Sequence, residues 1–243
     1  MALLRGRKTG TEIEFLKKAA EIAADCWEKA VSEIRMGMTE KEIASLFLEI
    51  IKQEGCTPSF DPIVNAGSKT EPGHGSPTDA KIEPGDLLHV DFGVKFNGYC
   101  SDIQRIAYFK KENEPVPGEL ESAFNTVSNI LHQSIAMYKP GAPGHEIDGY
   151  ARNQLTKAGY PEFFHGLGHQ IGQAIHDGGA IVGPLWPRYG ELGKIPLEEG
   201  NTFTAEFGVT LSGIGHVSLE EDVLVTKDGG QLLCRPQTDL VII

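Results

Sequence analysis

IEPGDLLHVDFGV (82–94) and LEEGNTFTAEFGV (197–209) align without a gap and set Asp91 of HVDFGV on Glu206 of TAEFGV, an offset of 115. Each phrase is an apolar strand pattern broken by one acid. Alone, such an acid reads as a residue on a solvated face. Its recurrence in the same context points to a shared role. A second pair extends the match: GMTEKEIASLFLEIIKQEG (37–55) falls on GAPGHEIDGYARNQLTKAG (141–159), an offset of 104. Both carry Gly, then Glu-Ile, then a helical apolar period, then a closing Gly. Thr39 and Glu42 form a capping-box pattern, and Gly55 and Gly159 suit the position just past a helix end. Further helical stretches, about 11–35 and 118–138, precede the two segments. The expectation is an α+β fold of two pseudo-symmetric halves, about 1–117 and 118–243, each reading helix, helix, antiparallel strands. No Pro/Gly/Ser-rich linker separates them, so one domain over 1–243 is expected. The offset grows by eleven, and the extra length falls in 160–196, which contains HGLGHQIGQAIHDGG.

Composition narrows the function classes. The 243 residues are 40% hydrophobic and 23% charged, ordinary for a globular protein. A formal charge of −12 argues against nucleic acid, whose phosphates it would repel. No apolar run approaches the roughly 18 residues of a membrane span. The N-terminal MALLRGRKTG has no apolar signal core, and Cys26, Cys56, Cys100 and Cys234 show no CxxC pairing. Reduced thiols in a cytoplasmic protein are expected.

The acids can be placed by turn geometry. FNGY (96–99) is a two-residue Asn-Gly hairpin signal. If Phe96 pairs with Tyr99, Asp91 faces Gln104, and Asp102 is a diagonal neighbour of Asp91 on the same face. Glu206 and Glu220 flank a second turn, LSGIG (211–215), and a three-residue loop would set them directly opposite. Two carboxylates about 4 Å apart repel by roughly 4 kcal/mol at an effective dielectric of ~20. A fold that gathers four of them needs cations.

The added segment supplies nitrogen, with His165, His169 and His176 among small residues. It is not HExxH, its glycines run GxGxxxG without a dinucleotide loop's context, and GELGK (190–194) lacks a P-loop's first glycine and its hydroxyl after Lys194. Four carboxylates and an imidazole form a hard, oxygen-rich set suited to manganese, cobalt, iron or zinc rather than copper. Two divalent ions would balance the four negative charges and activate water, which makes a dinuclear metallohydrolase. Amide and phosphate ester substrates are both open at this point.

These residues resemble the pita-bread metallopeptidases: methionine aminopeptidase, aminopeptidase P and prolidase. The resemblance covers nearly the whole chain. It implies five metal ligands: Asp91 of HVDFGV, Asp102 of YCSDIQR, His169 of HGLGH, Glu206 of TAEFGV and Glu220 of SLEEDVLVT. It implies two divalent ions, manganese first, with cobalt, zinc or iron as alternatives. His74 of GHGSPTD matches the histidine near the scissile bond, and His165 and His176 match the two that bind substrate and assist proton transfer. Glu206 is the ligand implied as proton shuttle, so His74, His176 and Glu206 form the expected catalytic set. HGSPTD, SDIQR and HGLGHxxGxxxHD are closest to aminopeptidase P and prolidase, which implies peptide substrates with proline second. A methionine aminopeptidase is the alternative activity, a non-catalytic peptide-binding module the alternative class, and a homodimer is left open. The chain departs from the family at three points. It starts near the catalytic domain, Phe207 stands in the family's Glu-Pro-Gly, and Ser218 replaces an arginine two residues before the last ligand. Glu221 lies beside that ligand but on the strand's other face, so Glu221→Gln is expected to affect metal binding and activity mildly compared with changes at the ligands.

Overall fold

The computed structural model describes residues 2–70 and 75–243. A short helix α1 (Ala2–Gly6) leads into α2 (Gly10–Glu33) and α3 (Glu40–Gln53), then β1 (Thr57–Pro58), β2 (Ile63–Ala66), β3 (Leu87–Phe92), β4 (Val94–Phe96), β5 (Tyr99–Cys100) and β6 (Ile103–Tyr108). The helix pair recurs as α4 (Gly118–Ile135) and α5 (Gly144–Lys157). A small ribbon β7 (Gly168–His169) and β8 (Ile181–Val182) precedes β9 (Thr202–Leu211), β10 (Gly215–Thr226), β11 (Gly229–Leu232) and β12 (Val241–Ile242).

Local chemistry sets these boundaries. Thr39 and Glu42 form the expected capping box, and Thr9 with Glu12 forms a second one that starts α2. Gly55 and Gly159 adopt φ of 71° and 89°, the left-handed conformation that ends a helix. Asn97 and Gly98 both have positive φ, as a type I′ hairpin turn requires.

The main sheet runs β11-β10-β6-β3-β2, with β9 antiparallel to β10 and β12 parallel to β6. Alternation sends apolar residues to one face and polar ones to the other. Val90, Phe92 and Ile103 cluster with Trp27, Ile43 and Phe47 of α2 and α3, and the Phe47 and Phe92 rings lie 4.5 Å apart. Phe203, Phe207 and Leu219 cluster with Phe124, Leu131 and Ile147 of α4 and α5. Each helix pair thus covers the apolar face beneath its own half of the repeat, and the acids point away from both.

Candidate metal centre

The hairpin arithmetic holds. Asp91 pairs with Gln104 across β3 and β6, and Gly215 pairs with Leu211, leaving a three-residue loop that sets Glu220 opposite Glu206. Gln104 also pairs with Glu220. Asp91, Gln104, Glu220 and Glu206 therefore form one row across four strands on a single face. Asp102 lies two residues along from Gln104 on the same face, a diagonal neighbour of Asp91.

His169 reaches this row through the inserted segment. The Glu206 N–H donates to the Leu167 carbonyl at 2.7 Å, and the Ile171 N–H donates to Thr202 at 3.1 Å, so the segment runs beside β9. Gly168 makes the approach possible, since a Cβ there would fall 2.0 Å from the Thr204 carbonyl oxygen. His169 Nε2 comes within 3.7 Å of Asp102 Oδ2. Donor atoms of Asp102, His169 and Glu220 all lie within 4.8 Å of one another. Asp91 and Glu206 flank that group along the row.

A cavity of about 750 Å³ opens onto the row, and Phe60, Ile63, His165, His176, Tyr189 and Leu192 are among the residues lining it. The His176 ring lies 4.1 Å from that of His169, and His165 packs edge-on to Phe163. His74, the remaining expected site histidine, lies outside the described residues.

The electrostatics fit a cation. Asp91, Asp102 and Glu220 are buried, Glu206 is half-buried, and Asp91 Oδ1 has no hydrogen-bond partner among the described residues. Burial raises all four carboxyls, Asp91 to about 7 and Glu206 to about 8, and repulsion from neighbouring acids adds to the rise at Asp102, Glu206 and Glu220. Burial lowers His169 to about 4, which keeps its imidazole neutral, the form that ligates a metal. Buried acids in direct contact with a neutral imidazole are stable as anions only where positive charge is brought in.

The model of metallopeptidase family M24 matches residues 14–227. The chain belongs to metallopeptidase family M24. Among M24 relatives, it is 33% identical to an Xaa-Pro dipeptidase of Pyrococcus furiosus over 98% of this chain and 66% of that protein. A second Xaa-Pro dipeptidase, from Pyrococcus horikoshii, is also 33% identical, over 96% of this chain and 64% of its own length. An X-Pro aminopeptidase structure from Thermotoga maritima superposes with a TM-score of 0.89 at 33% identity, over 99% of this chain and 65% of that one. The architecture is the pita-bread fold, as expected. The chain spans about two thirds of the length of these relatives. Among the described residues, no helix is long and apolar enough to cross a membrane.

Several polar residues around the M24 site were not singled out by the sequence reading. Asp148 and Arg152 form a buried pair on α5 at 2.6 Å. Arg152 also donates to the Phe163 and His165 carbonyls, and Asp148 accepts from the Leu167 N–H at 3.1 Å. Together they hold the segment that delivers His165 and His169. Lys8 and Asp177, buried and 3.3 Å apart, tie the chain's start to the residue after His176. Glu221 faces away from the acid row, and it is buried against Arg105 at 2.9 Å.

Proposed function

We propose that the chain is a dinuclear metal-dependent exopeptidase that hydrolyses the N-terminal peptide bond of short peptides with proline in second position. The observation that carries this reading is the convergence of four buried or half-buried carboxylates and one neutral imidazole on one cavity, with Asp91 Oδ1 left without a partner among the described residues. Asp102, His169 and Glu220 would hold one divalent cation, and Asp91 and Glu206 extend the donor set to a second. Bound there, the cations supply Lewis acidity and the positive charge that four carboxylates require. Manganese leads, with cobalt, zinc or iron able to use the same ligands.

The chain's own residues do the rest. Glu206, the half-buried member of the row, is the carboxylate suited to take a proton from water and pass it to the leaving amine. His176 stands over the site beside His169 to position the substrate carbonyl, with His165 at the cavity wall and His74 as the remaining substrate contact. Phe60, Ile63 and Leu192 line the cavity with apolar surface suited to a proline ring. The relatives named Xaa-Pro dipeptidase and X-Pro aminopeptidase support the same substrate class. The cores beneath the two halves meet on one continuous sheet, which supports treating 1–243 as one catalytic domain.

Metal analysis of the purified protein comes first, followed by rates on Xaa-Pro dipeptides, longer Xaa-Pro peptides and Met-Ala peptides with manganese or cobalt. Two bound ions and a preference for Xaa-Pro are expected. A preference for Met-Ala would make it a methionine aminopeptidase instead. Failure to bind a divalent ion would leave only a peptide-binding module.

A further inference from the structure

The two histidines whose rings lie 4.1 Å apart over the site, His169 and His176, are held in different ways. His169 sits in a ribbon, paired with Ile181 across β7 and β8, and its N–H donates to the Thr204 hydroxyl at 3.2 Å. Residues 171–180, which carry His176, run outside helix and strand. A side chain on such a stretch keeps its place through other anchors.

Two anchors bracket His176. Asp177 follows it directly, and the Asp177 N–H donates to the Gln170 carbonyl at 2.8 Å. The Asp177 carboxylate accepts from Lys8 Nζ at 3.3 Å, with the Lys8 and Asp177 side chains only 1% and 3% exposed. Lys8 is itself fixed. Its ammonium also donates to the Arg5 carbonyl at 2.7 Å, and its backbone N–H donates at 2.9 Å to Gly200, just before β9. The second anchor is the Gln170 amide, whose Oε1 accepts from the N–H groups of Gly179 at 2.9 Å and Ala180 at 3.3 Å. Glycines clear the space that these anchors occupy. A Cβ on Gly172 would fall 2.0 Å from Asp177 Oδ2 and 2.9 Å from Lys8 Nζ, and one on Gly178 would fall 1.8 Å from Gln170 Oε1.

We infer that Lys8 is a positioning residue for His176: its ammonium holds the Asp177 carboxylate, and Asp177 fixes the backbone from which the His176 imidazole enters the cavity. The inference rests on the reading of His176 as the group that positions the substrate carbonyl, given above. Arg5 also meets Asp177, at 3.3 Å, but its side chain is 60% exposed, and solvent leaves such a pair weak. The buried ammonium is therefore the tie that matters. A catalytic group displaced by about 1 Å through a distant change can cost roughly 100-fold in rate. His169 has its own supports in the ribbon and on β9, so loss of Lys8 should disturb catalysis and spare metal binding.

The test measures kcat and KM on an Xaa-Pro peptide, together with calorimetric titration of manganese into the metal-free protein. Lys8→Met should lower kcat by up to about 100-fold with KM changed much less, while manganese affinity stays at the wild-type value. Lys8→Met combined with Asp177→Asn should regain melting temperature, because no uncompensated charge is left buried, yet kcat should stay low because the tie is gone. His176→Ala is the reference and should lose at least as much in kcat as Lys8→Met. Wild-type kcat in a folded Lys8→Met protein, beside an impaired His176→Ala, would overturn the inference. So would manganese affinity that falls in step with kcat, since the defect would then lie at the metal ligands. If Lys8→Met does not fold, the double variant carries the test, and a kcat that recovers along with its stability would show that the pair serves folding alone. Wild-type kcat in His176→Ala refutes the reading of His176 itself and is recognised whatever the Lys8 variants do.

Discussion

Replacing Glu221 by Gln should cost stability while leaving the metal centre intact. Arg105 and Glu221 are each about 1% exposed, and Nη2 meets Oε2 at 2.9 Å. At that distance the attraction is about 6 kcal/mol for an effective dielectric of ~20, set against a desolvation penalty of several kcal/mol per ion. The net worth of the pair is thus small, but the worth of one partner to the other is not. Removing one charge of a buried pair costs about 3–5 kcal/mol, because the other is left uncompensated. Two features place Glu221→Gln near the lower end. Arg105 keeps the carbonyl oxygens of Gln104, Glu220 and Arg235 at 2.9, 2.8 and 3.2 Å, and the glutamine still offers an acceptor to Nη2.

About 3 kcal/mol in a chain of this length is a fall in melting temperature of roughly 6–12 °C. Glu221→Leu, which removes the acceptor as well, should fall further. Arg105→Met combined with Glu221→Leu should recover most of the loss, because an apolar pair carries no desolvation penalty. The assay is calorimetric melting of the metal-free proteins, with metal content measured in parallel. A Glu221→Gln protein that melts within about 2 °C of wild type would refute the uncompensated-charge argument. One that melts normally but loses its metal would show that the two faces of β10 are not separate.

Asp91→Asn should bind metal weakly and lose activity by orders of magnitude, while the metal-free fold is retained or gains stability from the lost repulsion; metal content and peptidase rate decide it. The metal-free protein should lose stability as pH rises from about 4 to about 8. Asp91 and Glu206 titrate at about 7 and about 8 when folded, so over that range the folded state holds protons the unfolded chain has released. Each such proton contributes a slope of about 1.4 kcal/mol per pH unit, readable in denaturant titrations across the range. Metal affinity should run the opposite way and strengthen with pH, because ligation needs the carboxylates ionised. Lys8→Met leaves Asp177 buried with only the exposed Arg5, at 3.3 Å, so the loop around His176 should become more sensitive to protease and the melting temperature should fall.

The parts of the site that could be read from sequence are those set by short-range rules. A two-residue Asn-Gly turn fixes its register, so Asp91 could be placed opposite Gln104 from numbering alone. The second hairpin needed only the choice of a three-residue loop to set Glu206 on Glu220. What was missed depends on long-range pairing of charges. Arg105 and Glu221 are 116 positions apart, and Lys8 and Asp177 are 169 apart. Each looks like a solvated charge until its partner is known. Asp148 and Arg152 are spaced as an exposed helix pair would be, and only the fold shows that this turn of α5 is buried against the histidine segment.

The repeat also accounts for the site's asymmetry. Each half contributes one hairpin and two acids, Asp91 with Asp102 and Glu206 with Glu220. Duplication alone would give two equivalent carboxylate pairs facing each other, and nothing would distinguish one ion from the other. The eleven extra residues of the second half break that equivalence. They let 167–171 run along β9 and bring one imidazole to the row, beside Asp102 of the first half and Glu220 of the second. On the proposed reading, one ion position gains a nitrogen ligand within 4.8 Å of donor atoms of both of those acids. The other depends on oxygen ligands.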